Sequence, residues 1–300
     1  MWRSVIIYNG ERLSVKDEWL IIDSEGEKEK KIPLDDLYCI VIDNRDMLIS
    51  TYALSALAKH RVHVITTDER HLPVGQLYPL NTNYHCYRVL KKQLALSDSF
   101  KGEIWKEIVI RKIRNQAVCL DNVWSERDVI KRMLQLADEV TFDDLGNREA
   151  IAAKMHFRSV FGANFIRFAD DNINAFLNYG YAVLRSDVAK SLVVHGFNCV
   201  LGVHHISEEN EFNLADDFIE PVRPIVDEWV GNNMNSTAEG LTPFVKNSLI
   251  NLNNTEVLFD GKVTKLRYAI DSMVKSFVTC VETNNPSRLI LPEVISHHEK

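Results

Sequence analysis

The hydrophobic pattern of this chain changes near residue 80, and this change limits the possible folds more than any other feature. Before that point, short segments rich in Val, Ile and Tyr alternate with polar breaks, which is typical of β-strands. These segments are SVIIYN, RLSVKD, EWLIID, LYCIVIDN and RVHVITTD. The pair Asn9-Gly10 predicts a hairpin, because both residues tolerate a positive φ. One helix is predicted between Leu48 and Ala58, where apolar residues recur near a 3.6-residue period.

From about Tyr84 onward the pattern is helical almost throughout. Apolar residues recur at helical spacing in FKGEIWKEIVIRKIRNQAV, in ERDVIKRMLQLADEV and in NREAIAAKMHFRSVFG, where Asn147 takes the N-cap position. The segments DDNINAFLNYGYAVL and SDVAKSLVVHG predict two more helices, the second capped by Ser186 and ended by Gly196. The last long helix is predicted from Lys262 to Glu282.

These patterns predict an α+β protein with a small N-terminal β-rich domain and a larger, all-α-helical C-terminal domain. The segment LPVGQLYPLNTN, with Pro73, Gly75 and Pro79, is typical of a domain boundary. We therefore place the domains at residues 1–79 and 80–300, and a chain of 300 residues has room for both.

Composition excludes few classes of function but indicates a compartment. The chain has no apolar run long enough to span a bilayer and no signal-peptide pattern, so we expect a cytoplasmic protein without a membrane partner. Its five cysteines are scattered and form no CxxC pair, which favours reduced thiols over a disulfide framework or a zinc ribbon. The net charge of -7 argues mildly against nucleic acid, although a local basic face remains compatible with it.

The segment from Gly196 to Asp227 carries the densest group of possible metal ligands. His204 and His205 are adjacent in a short extended link, so at most one of them is expected to join a given site. After Asn213, which with Asp216 resembles a capping box, carboxylates recur on one helix face. These carboxylates are Asp217, Glu220 and Asp227. Because Pro221 cannot donate a hydrogen bond, the helix is expected to kink or stop there. Spacing alone favours a solvated acidic face, with a metal site as the alternative.

Two other groups of residues have both an ordinary and a functional interpretation. Glu149 lies in the first turn of its helix, where the macrodipole favours Glu in any protein. The helix around Trp105 carries cations that would suit phosphate binding, or simply solubility. These cations are Lys106, Arg111, Lys112 and Arg114. The chain lacks the GxxxxGK[ST], GxGxxG and GxSxG motifs, which removes the main support for nucleotide hydrolysis, dinucleotide chemistry and an α/β-hydrolase mechanism.

Four segments together resemble the CRISPR-associated endonuclease one family, the DNA integrase of CRISPR adaptation, and most closely its type II-A members. The segments are NREAIAAKMHF, INAFLNYGYAVL, GFNCVLGVHH and NEFNLADDFIEPVRPIVD. The resemblance implies an N-terminal β-domain that dimerises and a helical catalytic domain. It also implies that Glu149, His205 and Glu220 are catalytic and bind Mg²⁺ or Mn²⁺, with Asp217 as a secondary or outer ligand. His204 stands where the family usually has an apolar residue.

The function implied by this resemblance is insertion of spacer DNA into a CRISPR array, by attack of a 3′-hydroxyl on a repeat phosphodiester. The implied partners are double-stranded DNA, a second copy of the chain, a dimer of the small second adaptation protein that bridges two such dimers, and other type II-A CRISPR proteins. Two alternatives stay open: a metal-dependent phosphoesterase on branched DNA that does not integrate, and a non-catalytic DNA-binding helical scaffold.

Overall fold

The computed structural model describes residues 3–24, 26, 28–77, 85–124, 126–234 and 240–298. The chain divides into two compact units, Met1–Thr82 and Asn83–Lys300. The boundary predicted between residues 79 and 80 lies outside the described residues. Strands dominate the first unit and helices the second, so the α+β class is confirmed. Within the described ranges, no helix combines the length and the apolar composition needed to cross a membrane.

The described residues of the N-terminal unit form two four-stranded sheets, one α-helix and a 3₁₀ turn at Leu34–Asp36. Its elements are β1 (Arg3–Ile7), β2 (Arg12–Lys16), β3 (Trp19–Asp23), β4 (Lys30–Pro33), β5 (Leu37–Ile42), β6 (Leu48–Ile49), α1 (Thr51–Lys59), β7 (His63–Thr67) and β8 (Pro73–Leu77). One sheet has the order β1-β5-β7-β8 and the other β4-β3-β2-β6. Apolar side chains from both sheets and from α1 share one core that includes Leu13, Leu20, Ile40 and Leu57, all fully buried.

The predicted hairpin at Asn9-Gly10 is wrong. Strand β1 pairs in parallel with β5, whereas β2 pairs with β3, so the chain changes sheets at Gly10 instead of turning back on itself. Gly10 has a φ of 133°, which an L-residue rarely adopts, and this conformation lets the chain pass from one sheet to the other. The hairpin lies instead between β2 and β3, where Asp17 and Glu18 both have a positive φ, as a two-residue type I′ turn requires.

The C-terminal unit is built mainly of helices. Its elements are α2 (Cys86–Leu94), α3 (Asp98–Val123), α4 (Arg127–Asp138), α5 (Arg148–Phe161), α6 (Asn172–Val194), α7 (Asn213–Ile219), α8 (Arg223–Asn232), α9 (Pro243–Ile250), β9 (Glu256–Phe259), β10 (Lys262–Lys265), α10 (Leu266–Thr283) and β11 (Glu293–Val294). Helix α3 lies at the centre and packs against α4, α5 and α8. Helices α6 and α8 approach closely at Gly180, where a Cβ would lie 2.5 Å from Val226.

Three predictions for this unit are corrected by the structure. It is not all-helical, because β10, β9 and β11 form a small antiparallel sheet. Ser186 does not cap a helix: α6 runs unbroken through it, and its hydroxyl donates to the carbonyl of Ala182 at 2.8 Å. The last helix begins at Leu266, because Lys262 belongs to β10, which follows a turn at Asp260 and Gly261 with positive φ. The predicted helix end at Gly196, with a φ of 92°, is confirmed.

Candidate active site

Glu149 is held at the start of α5 by a cap that the sequence analysis did not identify. The carboxylate of Asp144 accepts hydrogen bonds from the backbone N–H groups of Arg148 and Glu149, both at 2.9 Å. Asn147 occupies the predicted N-cap position, but its φ is 49° and its side chain makes no capping bond. Asp144 therefore accepts hydrogen bonds from two of the unpaired backbone N–H groups in the first turn, and the Glu149 side chain is left available for other contacts.

Glu220 lies at a break between helices. Helix α7 ends at Ile219, residues Glu220–Val222 form one 3₁₀ turn, and α8 begins at Arg223. The break predicted from Pro221 is confirmed, and it has the expected cause, since proline supplies no N–H to continue α7. The Glu220 side chain is 5% exposed. A buried carboxylate needs charged or hydrogen-bonding partners.

The predicted capping box at Asn213 and Asp216 is wrong. No side-chain bond caps α7. The Asn213 amide instead donates to the carbonyls of Val200 at 3.0 Å and Ser207 at 2.8 Å. These bonds tie down the loop that carries the histidine pair, so Asn213 stabilises the loop before the helix and not the first turn of the helix itself.

Lys112 joins the two glutamates. Its ammonium forms ion pairs with Oε1 of Glu149 and Oε2 of Glu220, and Arg223 pairs with Oε1 of Glu220 at 2.6 Å. Burial alone would raise the pKa of Glu220, but Arg223 and Lys112 outweigh it and lower the pKa to about 2. Burial likewise opposes the charge on Lys112, and the two carboxylates overcome it and hold the pKa of Lys112 above its usual value. Lys112, Glu220 and Arg223 are therefore charged at neutral pH.

His205 is oriented by Asp217. The buried Asp217 carboxylate accepts the backbone N–H of Val203 at 2.6 Å, the backbone N–H of His205 at 3.0 Å and a bond from Nδ1 of His205 at 2.8 Å. This bond to Asp217 raises the pKa of His205. When neutral, the ring then carries its proton on Nδ1 and leaves Nε2 as a free ligand atom. The loop passes so close to Asp217 that a Cβ on Gly202 would lie 2.9 Å from its Oδ2.

His204 lies beside His205, and the two rings meet edge to face with their centroids 5.8 Å apart, although the sequence pattern predicted that they point to opposite sides. The His204 ring stacks on Trp105, with centroids 4.1 Å apart and planes at 6°, and its Nδ1 lies 3.4 Å from Asp143. Trp105 also contacts His205 edge to face, at 5.7 Å. The stack anchors the loop to α3, so Trp105, grouped with the basic residues in the sequence analysis, instead supports the histidine pair.

The predicted site residues are thus partly assembled. Glu149 and Glu220 share one ammonium, and His205 is close enough to Glu220 to lower its pKa electrostatically. Among the described residues, no three His, Cys, Asp or Glu side chains are gathered in an arrangement that would hold a metal. The donor set still fits a divalent cation, because two carboxylates and one imidazole suit Mg²⁺ or Mn²⁺ and a cation already lies between the carboxylates.

The four cations predicted to bind nucleic acid do not share one face of α3. At about 100° per residue, Lys106, Arg111 and Arg114 fall within an arc of about 140°, whereas Lys112 points to the opposite side of the helix. Lys112 is buried and 6% exposed, so it is not part of a surface that a DNA backbone can reach. The other three pair with carboxylates: Lys106 with Glu103 at 3.8 Å, Arg111 with Glu293 at 2.8 Å and Arg114 with Asp138 at 3.1 Å.

Arginines from other elements lie beside the glutamates instead. A cavity of about 210 Å³ is lined by both charged and aromatic side chains. These include Lys112, Glu149, Arg167, Phe168, Tyr181 and Arg223. Arg223 also stacks over the Tyr181 ring, with its guanidinium carbon 4.3 Å from the centroid. Arg223 was not among the site residues predicted from the sequence, although its position three residues after Glu220 was a signal, since residues at this spacing meet on one helix face.

Comparison with known proteins decides the family. The family model described as CRISPR associated protein Cas1 matches residues 5–249 of the chain. The chain belongs to the Cas1 family. The CRISPR-associated endonuclease Cas1 of Neisseria meningitidis serogroup C (strain 8013) is 41% identical over 296 residues, which cover 98% of this chain and 97% of that protein. The resemblance found in the sequence is therefore confirmed at the level of the family, and membership of type II-A stays a prediction.

Two solved structures share the Cas1 fold with this chain. One is described as a casposase bound to integration product, with a TM-score of 0.76, 21% identity, and coverage of 94% of this chain and 91% of that one. The other is a Cas6-RT-Cas1–Cas2 complex, with a TM-score of 0.73 and 18% identity. It is matched over 99% of this chain and 36% of that one. At these identities the two structures support the fold alone.

Proposed function

We propose that this Cas1 chain is a metal-dependent DNA endonuclease and integrase that inserts spacer DNA into a CRISPR array. The observation that carries this proposal is the convergence of Glu149 and Glu220 on one cation beside a cavity lined with arginines. The names of its relatives support it too, since one is a CRISPR-associated endonuclease and another is bound to an integration product.

The proposed ligands of a Mg²⁺ or Mn²⁺ ion are Glu149, Glu220 and Nε2 of His205. When bound, such an ion polarises a phosphodiester and stabilises the charge that develops on it. Asp217 holds the His205 ring in the tautomer that leaves Nε2 free. Asp217 is thus proposed to act as an outer partner, because its oxygens are already engaged by the 203–205 loop.

The other residues of the cavity would bind and orient the DNA. Arg223 and Arg167 can neutralise phosphate oxygens near the glutamates, and the rings of Phe168 and Tyr181 offer surfaces for bases to stack on. In the proposed reaction, the 3′-hydroxyl of the spacer loses its proton and attacks a repeat phosphorus, which forms a new phosphodiester. The bond from that phosphorus to the 3′-oxygen of the upstream strand breaks, and this strand leaves as a 3′-hydroxyl after its oxygen takes up a proton. One ester replaces another, so the reaction needs no nucleotide hydrolysis.

The proposed assembly is the one that the family resemblance in the sequence implies. We infer that the chain acts in the cytoplasm of a prokaryotic cell, pairs with a second copy through residues 1–79, and works on double-stranded DNA with the small second adaptation protein. Two such dimers would flank one dimer of that protein, and other proteins of a type II-A system would complete the assembly. The complex with Cas2 among the similar structures supports this choice of partner.

The test is a joining assay with the chain, the Cas2 protein of its own system, Mn²⁺, a labelled duplex with free 3′-hydroxyls, and a plasmid bearing the repeat. We expect Glu220→Gln to reduce joining by about a hundredfold or more, since it removes one proposed ligand charge while keeping the shape of the side chain. Glu256→Gln is the matched control, because Glu256 is an exposed carboxylate that pairs with Lys265 at 2.9 Å on a surface hairpin.

Each alternative function predicts a different result in this assay. Cleavage of branched DNA without joining of free 3′-ends would identify a phosphoesterase that does not integrate. Full activity in Glu149→Ala, His205→Ala and Glu220→Ala would leave a non-catalytic scaffold as the function of this fold. Joining that survives Glu220→Gln at the rate of Glu256→Gln would refute the proposed ligand set.

A further inference from the structure

Lys112 occupies an unusual position for a lysine. It lies on the buried face of α3, four residues after Ile108, and is 6% exposed. An ammonium in such a place is costly unless opposite charges surround it. Both of its partners, Glu149 and Glu220, are proposed metal ligands, and they come from separate elements of the fold. Lys112 therefore holds these elements together and also neutralises the charge of their carboxylates.

The ammonium and a divalent ion would need the same oxygens. Lys112 contacts Oε1 of Glu149 and Oε2 of Glu220, whereas Arg223 contacts the other oxygen of Glu220. The two carboxylates are thus already balanced by two cations. An added divalent ion would bring two excess positive charges into a buried site, so the ammonium has to leave at least one carboxylate for the ion to bind well.

Gln116 offers a place for the displaced ammonium. It follows Lys112 by four residues on α3, so the two side chains are neighbours on one helix face. Gln116 is 2% exposed, and its Oε1 has no hydrogen-bond partner among the described residues. Both side chains line the cavity of about 210 Å³ beside Glu149, which gives the lysine room to turn. A buried amide oxygen without a donor is unfavourable, and an arriving ammonium would satisfy it.

We propose that Lys112 is a built-in placeholder for the metal: its ammonium holds Glu149 and Glu220 together until a divalent cation displaces it towards Oε1 of Gln116. This inference rests on the proposed function, because it assumes that these glutamates bind an ion. Without the placeholder, the buried Glu220 carboxylate and the partly exposed Glu149 carboxylate would repel each other in the metal-free protein. With it, the ligands stay together, and metal affinity is reduced by the competition. Lys112 is thus a positioning residue.

The test measures metal binding directly, using the full chain freed of metal with EDTA. Calorimetry with MnCl₂ would compare the wild type, Lys112→Met, Gln116→Leu and Lys275→Met. The last is the matched control, because Lys275 pairs with Asp271 at 2.6 Å on the exposed surface of α10. We expect Lys112→Met to bind Mn²⁺ at least about tenfold more tightly, since one competing charge is removed. It should also unfold several degrees lower in EDTA and regain stability with Mn²⁺.

The same experiment tests the two halves of the proposal separately. Gln116→Leu should bind Mn²⁺ more weakly than the wild type while its melting temperature in EDTA is not lowered, because only the displaced ammonium uses that oxygen. Equal Mn²⁺ affinity in the wild type and in Gln116→Leu would refute the receiving role of Gln116. Equal or weaker Mn²⁺ affinity in Lys112→Met would refute the placeholder and leave the proposed function standing.

A measurement on the wild-type chain tests the proposal even if Lys112→Met does not fold. Lysine acetylation followed by mass spectrometry should modify Lys112 faster with Mn²⁺ than without it, while Lys275 reacts equally in both. Unchanged labelling of Lys112, in a wild type that binds Mn²⁺, would overturn the displacement. If neither the wild type nor Lys112→Met binds Mn²⁺, the proposed function fails, and the placeholder fails with it.

Discussion

The substitution Asp217→Asn tests how the histidine of the site is held. The volume of the side chain stays the same, but one carboxylate oxygen becomes an NH₂ group. In the native chain, Oδ2 faces the N–H of Val203 at 2.6 Å, and Oδ1 faces both the N–H and Nδ1 of His205, at 3.0 Å and 2.8 Å. Whichever oxygen is replaced, a new donor therefore points at an existing donor inside a buried site.

The size of the effect follows from these bonds. A hydrogen bond to a charged group contributes about 1.5–3 kcal/mol, and one left unsatisfied in a buried place costs about as much again. We therefore expect Asp217→Asn to lower the free energy of unfolding by about 2–4 kcal/mol. The His205 ring also loses the partner that fixes its tautomer, which should weaken Mn²⁺ binding by about 10- to 100-fold.

Urea denaturation followed by circular dichroism, together with Mn²⁺ calorimetry, would measure both quantities. The matched control is Asp216→Asn on the same helix, since Asp216 is partly exposed and its charged partner Arg185 is 3.7 Å away. The bond that Asp216 accepts from the Asn210 amide at 2.7 Å can be kept by the side-chain oxygen of Asn. The control should change the free energy of unfolding by less than about 1 kcal/mol. An Asp217→Asn protein as stable as this control, with native Mn²⁺ affinity, would refute the argument that Asp217 builds the site.

Three further outcomes are expected. Gly202→Ala should abolish joining and lower the melting temperature in thermal unfolding, because its Cβ would collide with the carbonyl of His205. Asn115→Leu should lower the free energy of unfolding by urea by about 2–4 kcal/mol, because Asn115 donates to Pro221 at 2.7 Å and also bonds both residues 292 and 294 of the C-terminal segment. Glu220, whose pKa is lowered from 4.5 to about 2, contributes stability that is complete above pH 4.5 and lost as the pH falls towards 2. When unfolding is measured at decreasing pH, the free energy of unfolding of Glu220→Gln should therefore fall less steeply than that of the wild type between pH 4.5 and pH 2.

Local chemistry explains which features the sequence predicted correctly. Pro221 lacks an N–H, and this alone is enough to break α7 at Glu220. Gly196 ends α6 because glycine accepts a positive φ. Ser186 fails as a cap because the same hydroxyl can bond to a carbonyl one turn back, so a serine fits a helix interior as well as a start. The pair Asn9-Gly10 permits a turn but does not determine which strand comes next in the sheet.

The candidate site could not be predicted locally, because it depends on packing between distant elements. Glu149 lies where any helix favours a glutamate, and only the fold brings it to the cation that Glu220 also contacts. Lys112 did leave a signal, since it continues the apolar positions Ile104 and Ile108 at a spacing of four residues. A lysine on an apolar face predicts a buried partner, but the spacing does not identify that partner.

The net charge of -7 does not conflict with DNA as the proposed partner, because a bound phosphate interacts mainly with the charges close to it and only weakly with the rest of the protein. At physiological salt, charges beyond about 8 Å are largely screened. A second cavity, of about 270 Å³, is lined by Arg167, Arg185 and Arg223, and Asp216 is the one acidic residue among the described residues that line it. Arg167 and Arg223 also line the cavity beside Glu149, so the two cavities share their cations. A DNA strand that enters this second cavity would therefore meet three arginines and one carboxylate, and the overall negative charge would act against binding elsewhere on the molecule.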